Sequence, residues 1–244
     1  MKLVSVNTGM PREVSWHGRM VTTGIFKEPV KGRVALRKLN LDGDRQADLT
    51  VHGGEHKAVY CYPLAHYDYW KKELPGRELP MGMFGENFTM DDGGPGLPGG
   101  PATAGGQALP GGQGLEESVH LGDRFSVGTA EVVVTQPRLP CYKLGVRFGA
   151  DDMVKRFLAS GRTGFYVMVV REGEVGAGDE LKLMTREPNA VAVSEITRLY
   201  VAKRYRDAEI AVVRRALQVP ELPESWKEYF RERLRQAGTD STEE

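Results

Sequence analysis

The chain reads first as a succession of short β-type runs. Leu3-Val-Ser-Val6 is strand-like and is ended by Asn7-Thr-Gly-Met-Pro11. Arg33–Leu39 loosely alternates Val34, Leu36 and Leu39 with Arg33, Arg37 and Lys38, as a half-buried strand would. Asp42-Gly43-Asp44 reads as a turn, and Lys57–Tyr62 as a further β-rich run closed by Pro63. The longest β-branched and aromatic runs are Phe125–Val134 and Phe165–Val170, and Val132-Val133-Val134-Thr135 reads as a buried strand. Helical spacing interrupts them twice. Pro63 suits the first turn of a helix carrying Leu64, Tyr67, Trp70 and Leu74. Asp151 or Asp152 can cap a short helix bearing Met153, Val154, Phe157 and Leu158, stopped at Gly161. Many short strands between Gly, Pro and Asp turns, without regular βαβ alternation, predict a mainly β chain with some α, built as an antiparallel β-barrel over residues 1–187.

Beyond about residue 188 the pattern becomes helical. Ser194 can cap Glu195–Arg204, Asp207 can cap Ala208–Leu217, and Ser225-Trp-Lys-Glu228 is a capping box for a third helix with Trp226, Tyr229, Phe230 and Leu234 on one stripe. Such short helices are unstable alone, so a small C-terminal three-helix bundle is predicted over 188–237, with a disordered tail over 238–244. Its basic faces (Lys203, Arg204, Arg206; Arg231, Arg233, Arg235) read as solvated surface. Residues 91–114 differ from everything around them, with ten glycines, four prolines and almost no charge. They cannot bury enough apolar surface to offset their ordering entropy and read as a flexible Gly/Pro-rich insertion in the barrel domain.

Composition narrows the function. Lys plus Arg and Asp plus Glu both total 33, so the formal net charge is zero. That removes the bulk electrostatic case for nucleic acid or anionic membranes. Two cysteines, Cys61 and Cys141, build no disulfide framework and are too few for an ordinary four-cysteine cluster. With no apolar stretch long enough for a signal peptide or a membrane span, a soluble cytoplasmic protein is expected.

The chemistry centres on Cys141. Pro137 and Pro140 stiffen the exit from the Val132–Thr135 run, and between Glu131 and Asp151 every charged residue is basic: Arg138, Lys143 and Arg147. A thiol in that field loses its proton more easily, and the thiolate is the form that attacks electrophiles or binds soft metals. A buried structural cysteine is the alternative. Cys61, among Val59, Tyr60 and Tyr62, reads as core. His52-Gly53-Gly54 lets backbone approach a ligand, with His52 as donor or proton relay, or it is a plain turn. His52 and His56 are four apart, but the intervening glycines argue against the helical pair of a zinc protease.

Gln136-Pro-Arg-Leu-Pro-Cys141-Tyr-Lys-Leu resembles the cysteine motif of MOSC domains, the molybdenum-cofactor-sulfurase C-terminal family. Four further stretches match in order: Gly24-Ile-Phe-Lys27-Glu-Pro-Val, Leu41-Asp-Gly-Asp44-Arg-Gln46-Ala-Asp-Leu, Val51-His52-Gly-Gly-Glu-His-Lys57-Ala-Val-Tyr and Gly85-Glu86-Asn87-Phe-Thr. With the three-helix extension, the similarity is greatest to the YiiM-type branch, linked to resistance to N-hydroxylated purines. The 91–114 insertion departs from that pattern. The resemblance implies a β-barrel and the molybdenum cofactor, molybdopterin, an anionic pterin dithiolene with a phosphate. It implies Cys141 as metal ligand and Lys27 as a cofactor contact. Arg33, from the basic segment 19–38, and Arg138 and Lys143, flanking the cysteine, are further candidates for the phosphate or for a cation beside the thiolate. Asn87 can hydrogen-bond a pterin edge, Glu86 can pin a basic residue, and Asp44 and Gln46 either serve the site or organise their turn. The implied activity is a molybdenum-cofactor-dependent oxidoreductase that reduces N-hydroxylated bases or related N-oxygenated small molecules, with His52 relaying protons. A chain without a dinucleotide fingerprint or a cluster needs a separate electron-donor reductase as partner. The alternative is a non-enzymatic cofactor or sulfur carrier using Cys141 as a persulfide site, and after it a purely structural module. Neither nucleic acid nor membrane is expected as a partner, and oligomeric assembly is left open.

Overall fold

Strand β1 (Lys2–Thr8) buries Leu3 and Val6 and carries the first run expected from the pattern. These elements come from a computed structural model, which describes residues 1–48, 53–91 and 114–240. After β1 comes a hairpin that periodicity did not announce. β2 (Arg12–Trp16) and β3 (Arg19–Thr23) pair from Trp16↔Arg19 outward. The turn between them has φ of +49° at His17 and +74° at Gly18. Positive φ at both central residues matches the twist of the paired strands. β4 (Glu28–Pro29) and β5 (Arg33–Leu36) follow. β5 is shorter than the Arg33–Leu39 run, because Arg37 N donates to Asn40 O (2.8 Å) and turns the chain.

β6 (Val59–Pro63) follows a 3-10 turn at Glu55–Lys57. Helix α1 (Ala65–Glu73) buries Tyr67 and Trp70, as its stripe predicted, and leads over to β7 (Phe88–Asp91). A helical crossover of this kind permits parallel pairing, and β6 and β7 are parallel, with Cys61 opposite Phe88. Apart from its two ends, the 91–114 insertion lies outside the described residues. The chain resumes with α2 (Leu115–Ser118), β8 (Arg124–Val127) and β9 (Ala130–Pro137). The run read as Phe125–Val134 is therefore a hairpin. Its turn needs Gly128, at φ +56°, where a Cβ would sit 2.2 Å from Glu174 O. α3 (Tyr142–Phe148), α4 (Met153–Ala159), β10 (Phe165–Arg171), β11 (Gly173–Gly176) and β12 (Leu181–Thr185) complete this part.

The main sheet has eight strands in the order β12-β8-β9-β10-β6-β7-β1-β4. Its two sides approach each other where Lys2 bridges Glu180, Leu3 N donates to Asp179 O (2.8 Å) and Leu181 N donates to Met1 O (2.8 Å). The expected antiparallel barrel is met only in part. One neighbouring pair is parallel, and the sides are joined by a bridge rather than a closed ladder among the described residues. With seven helices among those residues, the architecture is mixed α/β.

The helical texture after residue 188 resolves into α5 (Val193–Val201), α6 (Asp207–Ala216) and α7 (Glu224–Asp240). The caps differ from the expectation. Ser194 and Asp207 lie inside their helices, and the carboxylates of Glu195 and Glu209 instead reach back to the backbone N–H of Ala192 and Arg206 (3.0 Å each). α7 runs on to Asp240, past the boundary drawn at 238. Val193, Ile196, Leu199 and Phe230 share one core with Val132, Val134 and Phe165 of the sheet. A second, aromatic core joins Tyr62, Tyr67, Trp70, Phe84, Phe148 and Phe157. Among the described residues no helix is long and apolar enough to cross a membrane.

Candidate functional site

Cys141 sits in extended backbone immediately before α3, where the two prolines deliver the chain from β9. It is half-buried and borders a cavity of about 90 Å³. Six other parts of the chain reach the same space: the segment after β3 with Lys27, the turn after β5 with Arg45, the 3-10 turn with Lys57, β6 with Tyr60, the segment before β7 with Asn87, and β10 with Tyr166. Lys143, in the first turn of α3, and Arg138 also line it. Five cations thus border the cavity, and no carboxylate does among the described residues.

Lys27 is buried and ion-paired with the buried Asp44. Burial holds its amine below the ordinary lysine value, against the opposing pull of Asp44. Asp44 also accepts from Gly9 N (2.9 Å) and from Asn87 Nδ2 (2.8 Å). Asn87 in turn accepts from Tyr60 N (3.1 Å) and donates to Asn7 O (3.2 Å). Asn87 lines the cavity, but both ends of its amide are committed inside the protein. It holds Asp44 and β6 in place instead of presenting a free edge to a ligand. Behind it Glu86 accepts from Tyr67 Oη, Gly82 N, Phe84 N and Thr89 Oγ1, and burial raises its pKa. Glu86 therefore pins a loop rather than the basic residue foreseen for it.

Arg138 is housed differently. It is also buried, with its guanidinium over the rings of Tyr60 (4.9 Å) and Phe157 (5.0 Å), and its Nη1 has no hydrogen-bond partner. Tyr60 Oη donates to Thr163 O (2.8 Å), which fixes the ring beneath that cation. Lys57 has its pKa lowered by burial, while the charge of Cys141 pulls the other way. Cys61 faces the core, and burial pushes its thiol far up, in contrast to the exposed edge of Cys141.

Of the residues singled out in the sequence, the structure brings together Lys27, Gln46, Asn87, Arg138, Cys141 and Lys143. Arg33 is elsewhere. It lies on β5, exposed and bound to Asp179 (3.1 Å), with Glu174 beside it, so its charge is satisfied far from the cysteine motif in sequence and outside the cavity lining. His52 lies outside the described residues. The sequence reading did not single out Lys57, Arg45, Tyr60 or Tyr166 as ligand contacts. Lys57 and Arg45 stand inside motif stretches, which was the available signal. Tyr166 is half-buried within β10, and its only mark is a polar-tipped aromatic in a strand of aliphatics. Among the described residues no three His, Cys, Asp or Glu side chains converge as a metal cage. A metal here would have one protein sulfur and an otherwise cationic surround.

Residues 48–182 match the MOSC domain, and residues 191–237 match the YiiM-like, 3-alpha helix domain. The uncharacterized protein YflK of Bacillus subtilis is 38% identical over 229 residues, covering 93% of this chain and 92% of its own length. A protein named Reductase from Gibberella moniliformis is 26% identical over 96% of this chain, which spans 38% of that longer protein. The crystal structure of YiiM from Geobacillus stearothermophilus superposes with a TM-score of 0.71 at 32% identity, over 96% of this chain and 98% of that one. MOSC domains are associated with binding of the molybdenum cofactor. The chain belongs to the MOSC family and carries, C-terminal to that domain, the YiiM-like three-helix domain.

Proposed function

We propose that this protein binds the molybdenum cofactor in the cationic cavity, with Cys141 as the metal ligand, and reduces N-hydroxylated bases or related N-oxygenated compounds to the amine. The observation that carries this reading is a half-buried cysteine on a cavity bordered by Lys27, Arg45, Lys57, Arg138 and Lys143, with no carboxylate in the lining among the described residues. The residues fit an anionic cofactor. The unpartnered Nη1 of Arg138 is a buried donor awaiting an acceptor, and a thiolate suits a soft metal. A phosphate is suited to Arg138, Arg45 and Lys143 as donors.

When bound, the cofactor supplies two-electron redox chemistry next to Cys141. In the overall reaction an N–OH group takes up two electrons and two protons, the N–O bond breaks, and water and the N–H product leave. The electrons come from a separate reductase. The chain's own task is to hold the cofactor and to deliver protons. Lys57 Nζ, held below the ordinary lysine value, gives up a proton more readily than an exposed lysine and lies on the same cavity as the sulfur. His52 is proposed as the second relay. Tyr60 and Tyr166 wall the cavity with rings whose hydroxyls burial keeps protonated.

The test is elemental analysis of protein made in a cofactor-competent host, for the wild type and Cys141→Ala, followed by turnover of N-hydroxyadenine with an artificial reductant. Molybdenum in the wild type and its loss in the variant are expected, with turnover tracking the metal. Equal molybdenum in both would remove the ligand assignment. A loaded protein that never turns over would favour the carrier role.

A further inference from the structure

A second cavity, of about 260 Å³, lies where β9 and β10 meet α5 and α7. Lys57 and Tyr166 border it as well as the first, so the two spaces are neighbours separated by shared side chains. Their linings differ in kind. The first holds five cations, and the second holds Lys57 as its one charged residue among the described lining. The rest of the second is dominated by ring faces: Tyr166 from the sheet and Tyr200, Trp226 and Tyr229 from the helical region.

Those rings are set before any ligand arrives. Trp226 Nε1 donates to Gln136 Oε1 (2.7 Å), and Gln136 Nε2 donates to His56 O (3.2 Å). Tyr229 Oη donates to Tyr200 O (3.3 Å). Tyr200 stands 5.5 Å from Tyr229 and 5.7 Å from Trp226, ring centre to ring centre. The polar tips of Trp226 and Tyr229 are thus committed to the protein, and what remains for a ligand is π-surface, held without further loss of side-chain entropy. A concave space of this size walled by ring faces, with few polar groups directed into it, has the character of a small-molecule site.

We infer that this compartment is the substrate subsite, and that it takes the planar, uncharged heteroaromatic ring of the N-oxygenated compound by stacking among Tyr166, Tyr200, Trp226 and Tyr229. The inference rests on the proposed reduction for the identity of the ligand. The division of labour follows from charge: anionic cofactor in the first compartment, neutral ring in the second. Lys57 and Tyr166, common to both, stand where the N–O group passes from one to the other. The helical region then has a direct part in specificity, because it supplies three of the four rings.

The experiment is calorimetric titration of N-hydroxyadenine into the purified full-length protein, with Tyr229→Phe and Tyr229→Ser alongside and melting curves for each. Tyr229 is half-exposed, and Tyr229→Phe keeps the ring while losing the hydroxyl's bonds to Tyr200 O and to the Tyr205 side chain. Tyr229→Phe should bind within about twofold of the wild type, and Tyr229→Ser about tenfold more weakly, the scale of one lost aromatic–base stack. Binding should change little between low and high salt, since the ring is neutral. Wild-type affinity in a folded Tyr229→Ser, or steep salt dependence, would overturn the subsite. Should Tyr229→Ser misfold, Tyr200→Ser is read by the same criteria. The two readings fail separately. Unchanged KM in Tyr229→Ser during genuine turnover sinks the subsite alone. Ring-dependent binding with no turnover in molybdenum-loaded protein sinks the proposed reaction and leaves a heteroaromatic binding site.

Discussion

Lys27 and Arg138 border one cavity, and each is more than nine-tenths buried, yet the fold treats the two charges in opposite ways. Lys27 meets the carboxylate of Asp44, which is itself held by Gly9 and Asn87, so charge and hydrogen bonds close within the protein. Arg138 lies over the faces of Tyr60 and Phe157 and keeps a buried N–H without a partner. Ring faces offset part of the cost of burying a cation but supply no counter-charge. The first arrangement is complete as it stands and belongs to the scaffold. The second has the Cys141 sulfur as its nearest source of negative charge and still keeps Nη1 open, so on the proposed reading an anionic ligand completes it and the ligand-facing role falls to Arg138.

The largest effect should come from opening the closed pair. Asp44→Asn leaves the lysine buried without its carboxylate and should lower stability by about 3–5 kcal/mol, read by urea unfolding. Asp44→Asn combined with Lys27→Met should regain much of that loss, and a double variant no better than the single would show that Asp44 matters for something other than charge balance.

An intermediate effect is expected at Arg138. Arg138→Met keeps the contact with both rings and removes the charge, so its unfolding midpoint should stay near that of the wild type. Its affinity for inorganic phosphate should fall about 10- to 100-fold, the scale of a charged hydrogen bond. A variant that unfolds easily while still binding phosphate would reverse the roles assigned to the two cations.

The smallest effect concerns pH, and it touches only the lysine. The folded protein holds Lys27 below its ordinary value of 10.5, chiefly by burial. Between the folded value and 10.5 the unfolded chain binds a proton that the folded chain lacks, so stability from this group rises with pH across that window. It is fully present above 10.5 and is lost as pH falls through the folded value. Urea unfolding from pH 8 to pH 10.5 should show the wild type gaining on Lys27→Met, and a flat difference would mean that the lysine is not depressed. Arg138, never titrating in this range, should add no such slope.

The strand runs, the helical C-terminal region and the cysteine motif were legible because each is written in consecutive residues. Lys27, Arg138, Cys141 and Lys143 came from the same local signals and do converge. What stayed hidden depends on who meets whom across the fold. Arg33 and Lys27 are six residues apart in one basic segment, but β5 pairs with β11 and hands Arg33 to Asp179, while the bend after β3 delivers Lys27 to Asp44. Asn87 offered a donor and an acceptor in the sequence, and only the packed structure shows both committed to backbone and to Asp44. The β2–β3 hairpin escaped because its turn, His17-Gly18, places a non-glycine residue at positive φ. The helix caps were misread because the N3 glutamates, not the Ser or Asp beside them, reach the free N–H groups. Tyr200 and Trp226 were visible as a helical stripe, but that they wall a cavity with Tyr166 depends on contacts spanning the whole second half of the chain.

The meeting of Met1–Leu3 with Asp179–Leu181 links segments almost 180 positions apart. During synthesis β1 emerges well before residues 179–181 and gains its partner on that side only after they have followed. Until then one margin of that strand is open to any extended segment nearby.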